Sequence, residues 1–344
     1  MNHRPSKPSV KDVAALAGVS LGSVSRTLNG VANVSPAVRD KVMQAMATLG
    51  YRLNHTARSL RSRSSHTVGC MLTDVTNPLY ARLYRAFEER LRSAGYMVIL
   101  ANSLNRLDWE LDILSMFHSR GMDGVIIAPG FERNARVLAA IDQLGIPAVV
   151  LDRDTSAQQD HVLFDHANGV RTAVCHLLNL GHRRIALIVG AAASRPMRRR
   201  IEGWRAGLAT KRIKPDPRWL VRLPFATAPA GESVQQLLAL SEPPTAIITL
   251  GTSALADVLN TVNAAGLRVP RDVSVVSMGD PDFARGYQPA ISTVVVDSAA
   301  AAEQSCQMLL QRMLGQTSDA PRRVVLSTEF IDRGSCGPAP SRRA

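Results

Sequence analysis

Short apolar runs alternate with helical patterns along most of the chain, and this alternation restricts the possible folds more than any other feature. TVGCMLTDV, YMVILANS, GVIIAP and AVVLDR come first, and RRIALIVG, TAIITL, VSVVSMG, STVVV and RRVVL follow. Strands that alternate with helices form parallel sheets with right-handed crossovers. Two successive sets predict an α/β body over residues 67–344, with two lobes and a cleft between them. We place lobe 1 at about 67–163 and 293–322, and lobe 2 at about 164–292 and 323–344.

Residues 1–52 follow a different pattern, in which short helical segments are separated by glycine. Ser9 and Asp12 have the spacing of a capping box, and Gly18 ends the helix that they start. Ser20 can cap a second helix over residues 21–29, and SPAVRDKVMQAMATLG contains a third. The apolar side chains expected to close a core are Val13, Leu16, Val24, Leu28, Val38, Val42, Ala45, Met46 and Leu49. This arrangement predicts a three-helix helix-turn-helix domain.

The stretch GVSLG around Ser20 also matches the G-x-S-x-G pattern of a serine nucleophile. Such a nucleophile follows a buried strand, whereas the helical pattern SVKDVAALA precedes Ser20. The sequence contains no Walker loop, dinucleotide-binding glycine pattern or H-E-x-x-H motif. The sequence therefore predicts a protein that is not an enzyme, with no cofactor and no metal.

Positive charge is concentrated near the N-terminus. Residues 1–66 contain ten Lys or Arg and two acidic side chains, and thus carry +8 of the net charge of +13. A basic segment with periodic helices is typical of a domain that binds a polyanion, rather than of a solvated tail.

Several further features bear on the location of the protein. The sequence lacks an apolar run of about 18 residues and the apolar core of a signal peptide. Its four cysteines have no paired spacing, which suits a reducing compartment. We expect a cytoplasmic protein that does not associate with a membrane.

The outward face of the second helix carries the residues that could contact DNA. In a helix-turn-helix domain this helix enters the major groove. Arg26 can read a guanine edge with two hydrogen bonds, and short polar side chains can bind phosphates. The alternative is that Arg26 is only a solvated charge. The DNA contacts predicted for this helix are Ser20, Leu21, Gly22, Ser23, Ser25, Arg26 and Asn29.

VKDVAALAGVSLGSVSRTLNG resembles the DNA-binding head of the LacI/GalR family of bacterial transcription regulators. LGHRRIALIVG, RIEGWRAGL and IDRGSCGPAP are similar to later segments of the family, so the resemblance covers nearly the whole chain. It implies that Leu21 and Gly22 are the first two recognition positions and that Arg26 reads a base. It also implies a periplasmic-binding-protein-like body and a homodimer on pseudo-palindromic operator DNA.

YRLNHTARSLRSRSSHTVG, residues 51–69, resembles the hinge of this family, and we place the hinge helix and linker at residues 53–66. The family usually has proline at the position of Leu53. A helix of about two turns is marginal alone in water. The resemblance implies that it folds when two subunits meet on DNA, with Leu60 wedged into the minor groove. The hinge residues predicted to contact DNA are Asn54, Ala57, Arg58 and Leu60.

Polar residues near the carboxyl ends of the strands are candidates for a ligand site, because ligands of open α/β folds bind there. The resemblance matches the effector-anchoring arginine of the family to Arg200, the last residue of RPMRRR. Each aspartate could instead be a turn or capping residue. The predicted effector-binding residues are Asp74, Asn77, Tyr80, Asp152, Asp165, Arg200, Phe225, Thr252 and Asp280.

Two departures from the family pattern concern the ligand. LGT stands at residues 250–252 where the family commonly has Ala-Asn-Asp, and MGD stands at 278–280 where it commonly has Phe-Asp-Asp. The aspartate that clasps sugar hydroxyls in many members is therefore Gly279 here. Arg200 is retained while this carboxylate is absent, which favours an acidic effector. The expected effector is therefore a sugar, or a sugar acid such as a gluconate-like compound.

The favoured hypothesis is a DNA-binding transcriptional repressor whose operator affinity is modulated by this small effector. The body alone would also suit a solute-binding or sensor protein without a DNA function. The basic head and the absence of a signal peptide argue against that alternative.

Overall fold

The computed structural model describes residues 8–28, 34–51, 64–156, 158–191, 193–317 and 320–340. The chain divides into two compact units, residues 1–65 and residues 66–344. Among the described residues, every helix is too short or too polar to span a lipid bilayer.

The described part of the first unit consists of three helices. They are α1 (Val10–Ala17), α2 (Leu21–Leu28) and α3 (Pro36–Leu49). Ser9 and Asp12 form the predicted capping box at the start of α1. Gly18 follows α1 with a φ of 63°, a left-handed conformation that suits glycine and lets the chain turn directly into α2.

A small apolar core joins these helices, and two residues of the predicted core, Leu16 and Val38, are not part of it. Val13, Val24 and Val42 are fully buried. The prediction that Leu16 joins the core is wrong, because its side chain is 52% exposed and Ala14 is buried instead. A helix turns by about 100° per residue, so Leu16 points away from the face that carries Val13 and Ala14.

The second unit alternates strands and helices. Its strands are β1 (Thr67–Leu72), β2 (Met97–Asn102), β3 (Gly124–Ile127), β4 (Ala148–Leu151), β5 (Asp160–Phe164), β6 (Ile185–Gly190), β7 (Leu220–Leu223), β8 (Ala246–Leu250), β9 (Ser274–Met278), β10 (Ser292–Val296), β11 (Arg323–Leu326) and β12 (Thr328–Ile331). Its α-helices are α4 (Pro78–Ser93), α5 (Leu107–Ser119), α6 (Ala135–Asp142), α7 (His166–Asn179), α8 (Arg195–Ala209), α9 (Gly231–Leu238), α10 (Ser253–Ala264), α11 (Asp282–Gly286) and α12 (Ser298–Met313). A short 3₁₀ helix, Pro217–Trp219, precedes β7.

The strands form two six-stranded sheets, which are the cores of the two lobes. The first has the order β11-β5-β4-β3-β1-β2, and the second has the order β12-β10-β9-β8-β6-β7. The first sheet is parallel throughout, and in the second only the β10–β12 pair is antiparallel. Along β1, Val68, Cys70 and Leu72 face one apolar cluster while Met71 faces another. This alternation follows the two-residue period of a strand that has helices on both sides.

The structure corrects the predicted lobe limits at two strands. STVVV, placed in lobe 1 from residue 293, forms β10 and pairs with β9 in the second sheet. RRVVL, placed in lobe 2 from residue 323, forms β11 and pairs with β5 in the first sheet. Buried Asp160 at the start of β5 holds this crossing segment, since it accepts hydrogen bonds from the Arg322 backbone N–H at 2.7 Å and Arg312 Nη2 at 2.8 Å.

Candidate functional site

Helix α2 in the first unit presents the predicted recognition residues on its outward side. Val24 is fully buried, whereas Leu21 is 47% exposed and both Gly22 and Arg26 are exposed. The Ser20 hydroxyl accepts a hydrogen bond from the backbone N–H of Ser23 at 3.1 Å, as expected of a capping residue. One face of α2 therefore holds the helix in the core, and the other leaves Arg26 accessible.

The remaining predicted DNA contacts divide into two groups. Ser23 and Ser25 lie on α2 and are half-buried. The residues outside the described ranges are Asn29, Asn54, Ala57, Arg58 and Leu60. Their DNA contacts stay predictions from the sequence.

A cavity of about 310 Å³ lies between the two sheets of the second unit, at the carboxyl ends of strands from both lobes. Residues from both lobes line it, as expected for the crevice of an α/β fold. The predicted residues in its lining are Asp74, Asn77, Tyr80, Asp152, Arg200, Phe225, Thr252 and Asp280. Asp165 does not line it, because its carboxylate caps α7 and accepts a hydrogen bond from the Asn168 N–H at 3.2 Å.

Asp152 is the centre of a buried polar cluster between the lobes. Its carboxylate accepts hydrogen bonds from Arg195 Nη1 at 2.8 Å and His166 Nε2 at 2.7 Å. Burial works against ionisation, but His166 and the guanidinium groups of Arg153 and Arg195 hold the pKa of Asp152 below its usual value. The residue also has a φ of 52°, an unfavourable conformation for a side chain other than glycine. Asp152 is therefore an ionised residue whose oxygens are already hydrogen-bonded within the protein.

Two more arginine contacts join the lobes beside this cluster. Arg198 on α8 donates to Glu132 Oε1 and to Asp154 Oδ2, each at 2.7 Å. The sequence does not predict these roles, because RPMRRR indicates a basic helix start without indicating which arginine faces which partner. The i to i+3 spacing of Arg195 and Arg198 places both on one face of α8, and this spacing is the one available signal.

Acidification is expected to destabilise the second unit because three of its histidines are buried. Burial lowers the pKa of His161, His166 and His182. The unfolded chain, with histidine pKa values near 6.5, therefore binds protons that the folded chain excludes, so stability falls as pH falls through about 6.5. Burial raises the pKa of Glu110, so this one group has the opposite effect on stability as pH falls. Urea unfolding at pH 7.5 and pH 5.5 should give a lower free energy of unfolding at pH 5.5, and a higher value would contradict this prediction.

The other two cavity aspartates also have partners. Asp74 accepts hydrogen bonds from the hydroxyls of Thr76 at 2.6 Å and Thr227 at 2.7 Å. Asp280 binds Arg333 Nη1 at 2.6 Å and also pairs with Arg285. The hydrogen bond from Arg333 contributes most, and that from Arg285 adds to it, in lowering the pKa of Asp280 to about 2.

Arg200 differs from these residues because its guanidinium has no acidic partner among the described residues. Its Nε is buried without a hydrogen-bond partner, and Nη1 lies 3.8 Å from the Met197 sulfur. Burial lowers the pKa of Arg200, yet a guanidinium stays charged at neutral pH. The neighbouring Arg199 instead points to the surface and pairs with Glu202 at 2.8 Å. Within the part of the chain that the structure describes, the cavity thus contains a cation that forms no ion pair.

Two glycines replace side chains at the part of the cavity where the family pattern has polar residues. Gly279 has a φ of 115°, which strains any residue with a Cβ. A Cβ on Gly251 would lie 2.9 Å from the Gly279 backbone. Lack of space therefore excludes a side chain at Gly251. At Gly279 a Cβ would lie 3.6 Å from the Gly251 Cα, so there the backbone conformation, not crowding, disfavours an aspartate.

Both units resemble domains of known proteins. Residues 9–54 match the family model of the bacterial regulatory proteins of the lacI family, and residues 174–336 match a periplasmic binding protein-like domain. The chain is 31% identical over 331 residues to the ribose operon repressor of Haemophilus influenzae, a match that covers 95% of this chain and 98% of that protein. The chain belongs to the lacI family.

Solved structures of lacI-family regulators share this architecture over their full length. The lac repressor dimer bound to operator and the anti-inducer ONPF is 27% identical with a TM-score of 0.82, covering 96% of this chain and 99% of that chain. The complex of the transcriptional regulator CelR with cellobiose is 28% identical with a TM-score of 0.72, covering 95% and 99%. The protein is a DNA-binding transcriptional regulator with a helix-turn-helix head and a periplasmic-binding-protein-like effector domain, and it is not an enzyme.

Proposed function

We propose that this lacI-family regulator is a repressor that binds a pseudo-palindromic operator as a homodimer and responds to an anionic sugar derivative. One recognition helix reads only a half-site, which is why a symmetric operator requires two subunits. The unpaired Arg200 guanidinium in the cavity carries the proposal for the effector. Cytoplasmic action on chromosomal DNA follows from the same proposal.

Exposed Arg26 on α2 supports the proposed reading of operator bases. Arg26→Ala should cost about 1–3 kcal/mol of binding free energy and relax the preference at one base pair per half-site. Gel shifts with a set of operators altered at single positions measure both effects. Exposed Arg39 on α3 provides a matched control, since Arg39→Ala should leave the base preference unchanged. An equal loss for Arg26→Ala on every operator would show that Arg26 contacts only phosphate.

The charge balance of the cavity supports an acidic effector. Its three aspartates bind cations or hydroxyls of the protein, whereas Arg200 has no anionic partner among the described residues. A buried charge is costly unless it is paired, so a ligand carboxylate that forms two hydrogen bonds with the guanidinium would be favoured. The replacement of the sugar-clasping aspartate by Gly279 points the same way.

Other parts of the lining suit the body of a sugar. The Phe225 ring lines the cavity and is 46% exposed, so it can cover the apolar face of a sugar. Tyr80 and Asn77 also line the cavity and can hydrogen-bond to hydroxyl groups. The Thr252 hydroxyl lines it too, but it already donates to the Ala226 carbonyl at 2.8 Å. A cavity of about 310 Å³ is at the small end of the usual range for ligand sites.

A thermal-shift screen of paired compounds tests this effector class. Each sugar acid, such as gluconate or a uronate, is compared with its neutral sugar or polyol, and nucleosides are included as a third class. A ligand at 100 times its dissociation constant stabilises the folded protein by about 2.7 kcal/mol. We expect an acid to raise Tm where its neutral counterpart does not. Stabilisation by neutral sugars or nucleosides alone would overturn the proposed class and leave the DNA-binding proposal intact.

A further inference from the structure

A second group of chemically reactive side chains lies away from the cavity, on the second lobe. His176 is in the last turn of α7, while Asp332 and Cys336 are in the segment that follows β12. One ligand atom from each residue lies within 4.8 Å of the other two. None of these residues lines the effector cavity.

His176 and Asp332 offer ligand atoms that are not used elsewhere among the described residues, whereas the Cys336 thiol also contacts the hydroxyls of Ser292 and Ser335. His176 Nε2 is buried and has no hydrogen-bond partner among the described residues, and it lies 3.5 Å from Asp332 Oδ2. The other carboxylate oxygen, Oδ1, accepts hydrogen bonds from the Ser292 hydroxyl at 2.7 Å and the Gly334 N–H at 3.2 Å. The carboxylate is therefore held in place with Oδ2 turned toward the imidazole.

Neighbouring residues hold the His176 ring in place, and the nearby Arg333 does not compete with a metal ion for Asp332. The His176 ring packs against Phe330, with ring centroids 4.9 Å apart. The nearest arginine in sequence, Arg333, binds Asp280 instead and leaves Asp332 available. Helix C-termini also favour positive charge, and His176 lies in such a last turn.

We propose that His176, Asp332 and Cys336 form a Zn²⁺ site. One imidazole nitrogen, one carboxylate oxygen and one thiolate suit Zn²⁺ better than Mg²⁺ or Ca²⁺, which take oxygen ligands. Three protein ligands leave a fourth tetrahedral position for water. On binding, the Cys336 thiol becomes a thiolate and its proton goes to solvent.

The distances agree with tetrahedral coordination. Zinc–ligand bonds of about 2.0–2.3 Å separate neighbouring ligand atoms by about 3.3–3.6 Å, and the distance of 3.5 Å between His176 and Asp332 lies in this range. The Cys336 sulfur lies within 4.8 Å of both other ligand atoms, so each of these two separations must shorten by at most about 1.2 Å to complete the set. Such a site would fasten the C-terminal segment to α7.

Titration of the reduced full-length protein with Co²⁺ tests the site, because cobalt bound to a thiolate absorbs in the near ultraviolet and visible regions. One equivalent of Co²⁺ should produce this absorption, and Zn²⁺ should displace it because Zn²⁺ binds such ligands more tightly than Co²⁺. Cys336→Ser should remove the absorption, and Asp332→Asn should weaken Co²⁺ binding at least tenfold. Zn²⁺ should also raise the Tm of the wild-type protein and leave that of Cys336→Ser unchanged.

Cys175→Ser is the matched control. Cys175 adjoins His176 in the sequence, but its sulfur lies 4.0 Å from the Thr210 hydroxyl on the side toward α8. The control should keep the cobalt absorption. If Cys336→Ser fails to fold, as judged by circular dichroism, then Asp332→Asn and His176→Gln decide the question. Absence of the absorption in the folded wild-type protein, or its persistence in the variants of the proposed ligands, would overturn the site.

Discussion

Arg200→Ala is expected to abolish the response of DNA binding to effector while leaving DNA affinity without effector nearly unchanged. The guanidinium of Arg200 lines the cavity and has no anionic partner among the described residues, so its removal breaks no ion pair in the folded protein. Coupling free energies of about 1–3 kcal/mol correspond to a 5- to 150-fold change in affinity. The variant should lose that whole change.

The measurement is operator binding, followed by fluorescence anisotropy with and without the sugar acid that gives the largest thermal shift. By reciprocity, operator DNA must change the affinity for the sugar acid by the same factor, so both titrations are informative. Arg199→Ala is the matched control, because Arg199 is the next residue on α8 but pairs at the surface with Glu202. It should retain the full response.

Arg200→Lys separates charge from geometry. Lysine keeps the positive charge but lacks the planar fork that binds a carboxylate with two hydrogen bonds, so a weakened response is expected. A variant Arg200→Ala that still responds fully would remove Arg200 from the effector site. Loss of DNA binding in the absence of effector would show instead that Arg200 has a structural role.

The first unit was predictable because its signals are local. The capping box of Ser9 and Asp12, the turn at Gly18 and the apolar spacing along α2 each depend on residues within one or two helical turns. Leu16 is one exception, since a leucine at helical spacing can lie at the edge of a face and remain exposed. Deciding its burial requires the angle between helices, which the sequence does not give.

The second unit was predictable in its strand–helix alternation but not in the assignment of its last strands. STVVV and RRVVL are both apolar and β-branched, and strands buried on both faces look alike in either sheet. Membership of a sheet is set by distant contacts, such as the pairing of Asp160 with Arg322 across 162 residues of sequence. Three short strands were not predicted: β5 (DHVLF), β7 (LVRL) and β12 (TEFI), none of which has more than three consecutive apolar residues.

The effector cavity was also predictable only in part, because its local signals can be recognised in the sequence and its distant pairings cannot. Positions at strand ends indicated which residues line the cavity, and Arg200 follows from the family resemblance. Which carboxylates are available could not be inferred, because Asp152 and Asp280 are occupied by arginines 43 and 53 residues further along the chain. An arginine and an aspartate far apart in sequence carry no local signal of their pairing.

The buried pair of Arg195 and Asp152 leads to the second large expected effect, which concerns stability. Arg195→Met should lower the free energy of unfolding of the second unit by about 3–5 kcal/mol, as is typical when one partner of a buried ion pair is removed. Both side chains are nearly inaccessible, at 5% and 7% exposed. The loss also leaves the Phe164 carbonyl without the hydrogen bond that Arg195 Nη1 donates at 2.8 Å. Methionine fills a similar volume, so the unpaired charge accounts for most of the cost.

Urea unfolding followed by tryptophan fluorescence measures this loss in the correct unit, because all three tryptophans, Trp109, Trp204 and Trp219, belong to residues 66–344. Arg199→Met on the same helix removes only an exposed pair and should change stability little. The double variant Arg195→Met with Asp152→Asn should be more stable than Arg195→Met alone, since it no longer buries a carboxylate that has lost its arginine. If the double variant is less stable than the single one, Asp152 stabilises the fold through His166 and the β5 backbone rather than through Arg195. If Arg195→Met itself costs less than about 1 kcal/mol, the ion pair between the lobes is not a major source of stability.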